Sequence, residues 1–278
     1  MQKLIQSSIL VMALVFFVSC SSRHKQEKLA DERLKRIEML IKANSLNAAK
    51  IEIDSIHYLY PRLVNKRRIA AAFADTIAFI ESSRNLTYCD SILPFKQREM
   101  DSIQKNFRFE KDVKYQDVGN YVYKTQQTES NTSRIYLKSY VDENADIYLI
   151  SNYCGGKIEQ TSLEVSVKDL FAHTDTLETS NPAYHSYNDG GSHWETLTFK
   201  NNADKGVSAF IAQNSTARIK ITLYGKRSYV YYLADADKKA IVETYHLWKV
   251  KKDVVNLQKE IKKAKVIIER INRDKLKK

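Results

Sequence analysis

Glycine and proline are scarce, seven and three in 278 residues. That excludes collagen-like, low-complexity and linker-dominated chains, and a hydrophobic share of 43% suffices for a packed core. Cysteine is scarcer still. Cys20, Cys89 and Cys154 are too few for a disulfide framework or a thiolate-rich zinc site. After residue 18 no apolar run approaches the roughly 20 residues that a membrane-spanning helix needs. No Gly-x-Ser-x-Gly elbow occurs, and Gly155-Gly156-Lys157 lacks the remainder of a phosphate-binding loop.

Acidic residues are outnumbered, 33 against 45 basic, for a net charge of +12. The imbalance is concentrated in residues 249–278, where twelve Lys and Arg face Asp253, Glu260, Glu269 and Asp274. This segment alone carries +8. Such a tail suits an anionic surface. What precedes Cys20 makes lipid head groups, acidic envelope glycans or an acidic partner better candidates for it than nucleic acid.

The chain opens with Lys3, then an apolar run from Ile9 to Val18, then Ser19-Cys20. A positive start, a short apolar stretch and a small-residue end form a secretory leader over residues 1–19. The ending "FVSC" resembles the lipobox of bacterial lipoproteins, although Phe17 stands where that family prefers Leu. The resemblance implies cleavage before Cys20, lipidation of its thiol, and an acyl anchor stronger than a single chain provides. It leaves Cys89 and Cys154 as the thiols of the mature chain. Their different predicted regions argue against a bridge.

Residues 20–112 read as a helical region. Leu29, Arg33, Ile37, Leu40 and Ile41 share a face at helical spacing, and Asn44-Ser45 supplies a break with an N-cap candidate. A second helix from Leu46 to Tyr60 turns Ala49, Ile53, Ile56 and Tyr60 inward. Pro61 suits the first position of a third helix carrying Ile69, Ala72, Phe73, Thr76, Ile77 and Ile80. A further helix is expected from Phe95 to Phe107. "LIKANSLNAAKIEIDSIHYLYPR" resembles one tetratricopeptide unit, but no second copy follows, so it reads as a helical hairpin.

Near Gly119 the period changes to alternation, and residues 113–234 read as an antiparallel β-sandwich or jelly roll. Nine strands are expected: "NYVYKTQ", "RIYLKSYV", "DIYLISNY", "TSLEVSV", "TLETS", "WETLTF", "VSAFIAQ", "ARIKITLY" and "SYVYYLA". From Asp235 helical spacing returns and holds to 278. Leu247, Val250, Val254, Leu257, Ile261, Ala264, Ile268 and Ile271 make a coiled-coil seam. Its partner is either the N-terminal helices, which chain economy favours, or a second copy, for which Glu260 and Lys265 are suitably placed.

The fold class is therefore α+β: a helical region, a sandwich, and a long basic helix packing back on the N-terminal helices. Lipobox, "IDSIHYLYPR", tyrosine-rich β region and basic terminal helix together resemble envelope lipoproteins of the Bacteroidota. The resemblance carries no established activity. It implies a lipid-anchored, bacterial cell-envelope protein, with the outer membrane as the expected site.

Candidate chemistry centres on "HSYNDGGSHWETLTF". His185, Asp189 and His193 could serve a metal-dependent hydrolase, with Glu195 as base. Against this, Asn188-Asp189-Gly190-Gly191 is turn chemistry. Asp142-Glu143-Asn144-Ala145-Asp146 opens like a calcium loop, but Ile147 and Tyr153 occupy the positions that need Gly and Glu, so it reads as a hairpin turn. Fourteen of seventeen tyrosines lie from Tyr115 onward. Most suit half-buried strand positions. Tyr184, Tyr187 and Trp194 are the candidates for a ligand-binding rim. The resulting expectation is a non-catalytic protein without cofactor or metal that presents its sandwich to an envelope protein or glycan. A carbohydrate-binding lipoprotein of a glycan-uptake system is the first alternative, the hydrolase the second.

Overall fold

The computed structural model describes residues 23–126, 134–189, 191–200 and 202–276. The expected leader and Cys20 lie outside them. The architecture is α+β, with five helices and two antiparallel sheets. The chain divides into two compact units, one formed by the chain up to Tyr88 together with Glu260–Lys278, the other by Cys89–Lys259.

The first unit is helical. Helix α1 spans 23–42 and α2 spans Leu46–Leu59. Asn44 takes a left-handed conformation at φ 59°, a strain that its short polar side chain tolerates. The Ser45 amide then reaches Leu40 O at 2.8 Å and the Asn44 amide reaches Ile41 O at 3.0 Å, closing α1 in a Schellman turn. Ser45 sits at the N-cap of α2, but its side chain makes no capping bond. Ala49, Ile53, Ile56 and Tyr60 are buried as their spacing requires, against Ala30, Leu34 and Ile37 of α1. Leu29 and Ile69, expected inward, are exposed; Ala30 and Ala70 take the core positions beside them.

Helix α3 begins at Val64, three residues after Pro61, and continues to Gln104. The two helices expected here are one. Pro94 lies inside it and removes one backbone donor without ending the helix. Helix α5, Asp235–Leu276, carries the seam. In the first unit its residues from 260 onward lie against the early part of α3: Asn85 Nδ2 donates to Glu260 Oε2 at 3.0 Å and Arg270 reaches Asp75 at 3.3 Å. Ala264 and Ile271 are buried there. In the second unit Lys96 pairs with Asp253 at 3.2 Å, and Leu247 packs with Met100 and Ile103. The seam is thus filled antiparallel by the chain's own α3, and Glu260 is engaged with Asn85.

The second unit holds the strands. Sheet one runs β1 (Phe107–Glu110), β2 (Asn120–Tyr123), β3 (Tyr136–Asp142), β4 (Ile147–Gly155), β8 (Ser192–Phe199), β7 (Tyr184–Asp189). Sheet two runs β10 (Tyr229–Tyr232), β9 (Lys220–Tyr224), β5 (Ser162–Val167), β6 (Leu170–His173). Leu137, Leu149, Leu197 and Phe199 from the first meet Leu163, Val165, Ile221 and Leu223 from the second in one core, which makes the sandwich.

Two expected strands are not strands. "VSAFIAQ" is helix α4, Val207–Gln213, with Val207, Ser208 and Ile211 buried at helical spacing after Gly206 turns the backbone at φ 86°. "TLETS" carries no ladder. Conversely β1 falls within the region expected to be helical, and β6 and β7 were not anticipated as strands. Asp142 closes the β3–β4 turn by accepting the amides of Asn144 at 2.9 Å and Asp146 at 2.8 Å, a turn and not a calcium loop.

Candidate functional site

The stretch 184–199 forms a β-hairpin at the edge of sheet one. Asn188 pairs with His193 and Asp189 with Ser192, and Gly191, just before β8, has φ 80°. Alternation along the strands now fixes which side chains share a face. His185 lies opposite Thr196, on the face that also carries Tyr187, Asp189 and Trp194. His193 lies on the other face, with Asn188, Glu195 and Leu197. The three ligands expected for a hydrolase are therefore divided between two faces. Among the described residues no group of three His, Cys, Asp or Glu side chains could hold a metal.

Glu195, the expected base, has a different occupation. It is 0% exposed. Its Oε1 accepts the amides of Ile158 at 2.8 Å and Glu159 at 2.9 Å, and its Oε2 accepts that of Gln160 at 2.8 Å. Glu159 is left-handed at φ 51°, which turns three successive amides toward one carboxylate. His193 lies beside it: Nδ1–H donates to Asn188 Oδ1 at 2.7 Å, and Nε2 stands 3.4 Å from Glu195 Oε1 without a hydrogen bond. Lys157 and Lys226 flank the same segment through Glu159, holding its carboxyl below the usual range by hydrogen bonding, first from Lys226. Gly225 lies so close that a Cβ there would stand 2.4 Å from the carbonyl oxygens of Ile158 and Glu159. Glu195 is an internal anion that clamps a connection between the sheets. Three of its acceptor sites are taken by backbone amides.

The rim candidates separate in the same way. Tyr184 faces the core, and burial of its hydroxyl, with the nearby Glu195 carboxyl, raises its pKa. Tyr187 and Trp194 lie directly opposite each other on the outer face, rings 6.2 Å apart and 7° from parallel. Tyr187 is 54% exposed. His185, Thr196 and, across β4, Asn152 provide polar neighbours on that face, with Asn152 Oδ1 accepting from Thr196 Oγ1 at 3.2 Å. The pair is an offset aromatic surface of the kind on which a flat, partly apolar ligand can rest.

One further constellation escaped the sequence. His173 Nδ1 donates to Thr174 O, and Nε2 lies 3.4 Å from Ser162 Oγ. The order hydroxyl, imidazole, acceptor is that of an activated nucleophile. The residues are eleven apart in a β5–β6 hairpin, so only knowledge of that pairing could have found them. Ser162 is itself buried at 4% exposure.

Cys89 and Cys154 are not joined by a disulfide. No described helix is long and apolar enough to cross a membrane. No family model matches the chain, and no curated protein or solved structure is significantly similar to it.

Proposed function

We propose that the protein is a lipid-anchored component of a bacterial cell envelope, without catalytic activity, whose sandwich unit binds a glycan. The anchor follows from Lys3, the apolar run and "FVSC" ending at Cys20. The binding role rests on one observation, the stacked pair of exposed Tyr187 and half-buried Trp194 on one face of the edge hairpin. Sugar rings offer flat C–H faces to such aromatic surfaces and hydroxyls to exposed polar neighbours such as His185. A protein ligand is the other occupant of the same class, and a glycan-uptake system is the setting in which the glycan reading belongs.

Two experiments test the parts separately. A glycan array probed with the protein should give hits that Tyr187→Ala and Trp194→Ala abolish, with Tyr187→Ala, at an exposed position, leaving stability within about 1 kcal/mol. No hit above background refutes the glycan role. For the anchor, Cys20→Ala or globomycin treatment should change electrophoretic mobility and release the protein from membranes; unchanged processing refutes it.

A further inference from the structure

Within the helical unit, charge is matched along the body and unmatched at one end. Along the body, Glu52 takes both Arg33 and Arg36, Glu38 takes Lys42, and Glu81 takes Lys50. The end is different. Residues 61–68, where α3 begins, contain four basic side chains and no acidic one. Arg23 of α1 lies beside them: Arg23, Glu27, Arg62, Asn65 and Lys66 line a depression of about 380 Å³. Because α5 runs antiparallel to α3, with Glu260 at Asn85 and Arg270 at Asp75, its last turns point toward this same end. They bring Arg273, whereas the Lys275 ammonium turns back over the Phe79 ring, 5.0 Å from its centroid. Among the acids of this unit Glu27 is committed to Arg23, Asp31 to Lys66 and Asp75 to Arg270, while Glu32, Asp54, Glu269 and Asp274 make no ion pair among the described residues. Arg62, Arg68 and Arg273 are exposed and make no ion pair among the described residues.

We infer that this basic end is a docking surface for the head groups of an anionic phospholipid membrane. The placement rests on the lipid-anchor reading. Arg23 follows Cys20 by three residues, so an acylated Cys20 would hold this end within a Debye length of the bilayer. Cations that close to an anionic leaflet gain binding energy, and those without an internal partner surrender no intramolecular bond to do so. The anchor and the surface then act together, as a weak acyl anchor and a polybasic patch do elsewhere.

The test uses full-length protein purified from membranes and two kinds of vesicle, neutral phosphatidylcholine and the same lipid with about one-third phosphatidylglycerol. The ratio of the two partition coefficients reports the surface, and partitioning into neutral vesicles reports the anchor. Arg62→Gln, Arg68→Gln and Arg273→Gln combined should lower the ratio on the order of a hundredfold at low salt, about fivefold per charge, and leave neutral partitioning unchanged. A control with the same net charge, Lys42→Gln, Arg84→Gln and Lys262→Gln, removes exposed cations from the opposite end of the helical unit, about 30 Å along α3, and should cost no more than a fewfold. Equal losses in both triples, or none in either, overturn the inference. Retention on an acidic polysaccharide without vesicle selectivity would transfer the surface to a glycan and overturn it as well. If Cys20→Ala leaves neutral partitioning intact, the anchor reading fails by itself and the ratio still judges the surface.

Discussion

Replacing Glu195 tests the account of the hairpin at its centre. Glu195→Ala removes a fully buried carboxylate and leaves the amides of Ile158, Glu159 and Gln160 without acceptors. An unsatisfied buried donor costs roughly 1–3 kcal/mol. Three of them, partly relieved by an entering water, should cost about 4 kcal/mol. For a unit of this size each kcal/mol is worth roughly 2–4 °C, so the melting temperature should fall by about 10 °C. Glu195→Gln keeps the shape and one oxygen. Its amide nitrogen then faces at least one N–H, so a loss of about 2 kcal/mol is expected. The measurement is urea unfolding followed by tryptophan emission, in which Trp194 sits next to the change. The order wild type, Gln, Ala is the signature of an acceptor role. An alanine variant within about 1 kcal/mol of wild type would sink the reasoning, because it would mean the three amides had other partners.

Other consequences can be checked with simpler means. Gly225→Ala places a methyl 2.4 Å from two backbone oxygens and should destabilise the same connection by roughly 1–3 kcal/mol, read as a shift in urea midpoint. Tyr140 stacks on Tyr148 with rings 4.6 Å apart, and burial, with Tyr148 second, pushes its pKa up to about 12. The fold favours the neutral phenol, so the contribution is complete below about pH 10 and disappears as pH rises to about 12, on the order of 2 kcal/mol in all. Tyr140→Phe should flatten that alkaline loss, and an unchanged slope would contradict it. Thiol titration of native protein should detect Cys154, which is part-exposed, well before Cys89 at 2% exposure; equal rates would contradict the burial of Cys89.

How far the sequence carried depended on the range of the interactions. Ala49, Ile53 and Ile56 were legible because one helix face repeats locally, and Leu137, Leu149 and Leu223 because strands alternate. "VSAFIAQ" was not legible. Seven apolar-rich residues fit a buried strand or a short helix equally, and the turn at Gly206 decides between them. The continuity of α3 through Pro94 depends on neighbours that no local rule contains. At the candidate site, Tyr187 and Trp194 could be named, but not their separation from Tyr184, because that needed the hairpin register. Glu195 was named for its nearness to His193. Its true partners lie 35 to 37 residues earlier, and nothing at residues 158–160 advertises an anion cradle.

The two compact units are unequal in the order of synthesis. Cys89–Lys259 is one uninterrupted stretch, whereas the helical unit combines the chain up to Tyr88 with the residues from Glu260 onward. The sandwich can therefore complete itself while the polypeptide is still being delivered. The helical unit has to wait with its apolar stripe unmatched until the final nineteen residues arrive. Its closure is a contact across nearly two hundred residues, which topology makes slow. A chain shortened by those residues should retain a folded sandwich and a helical end that chaperones and proteases recognise as unfinished.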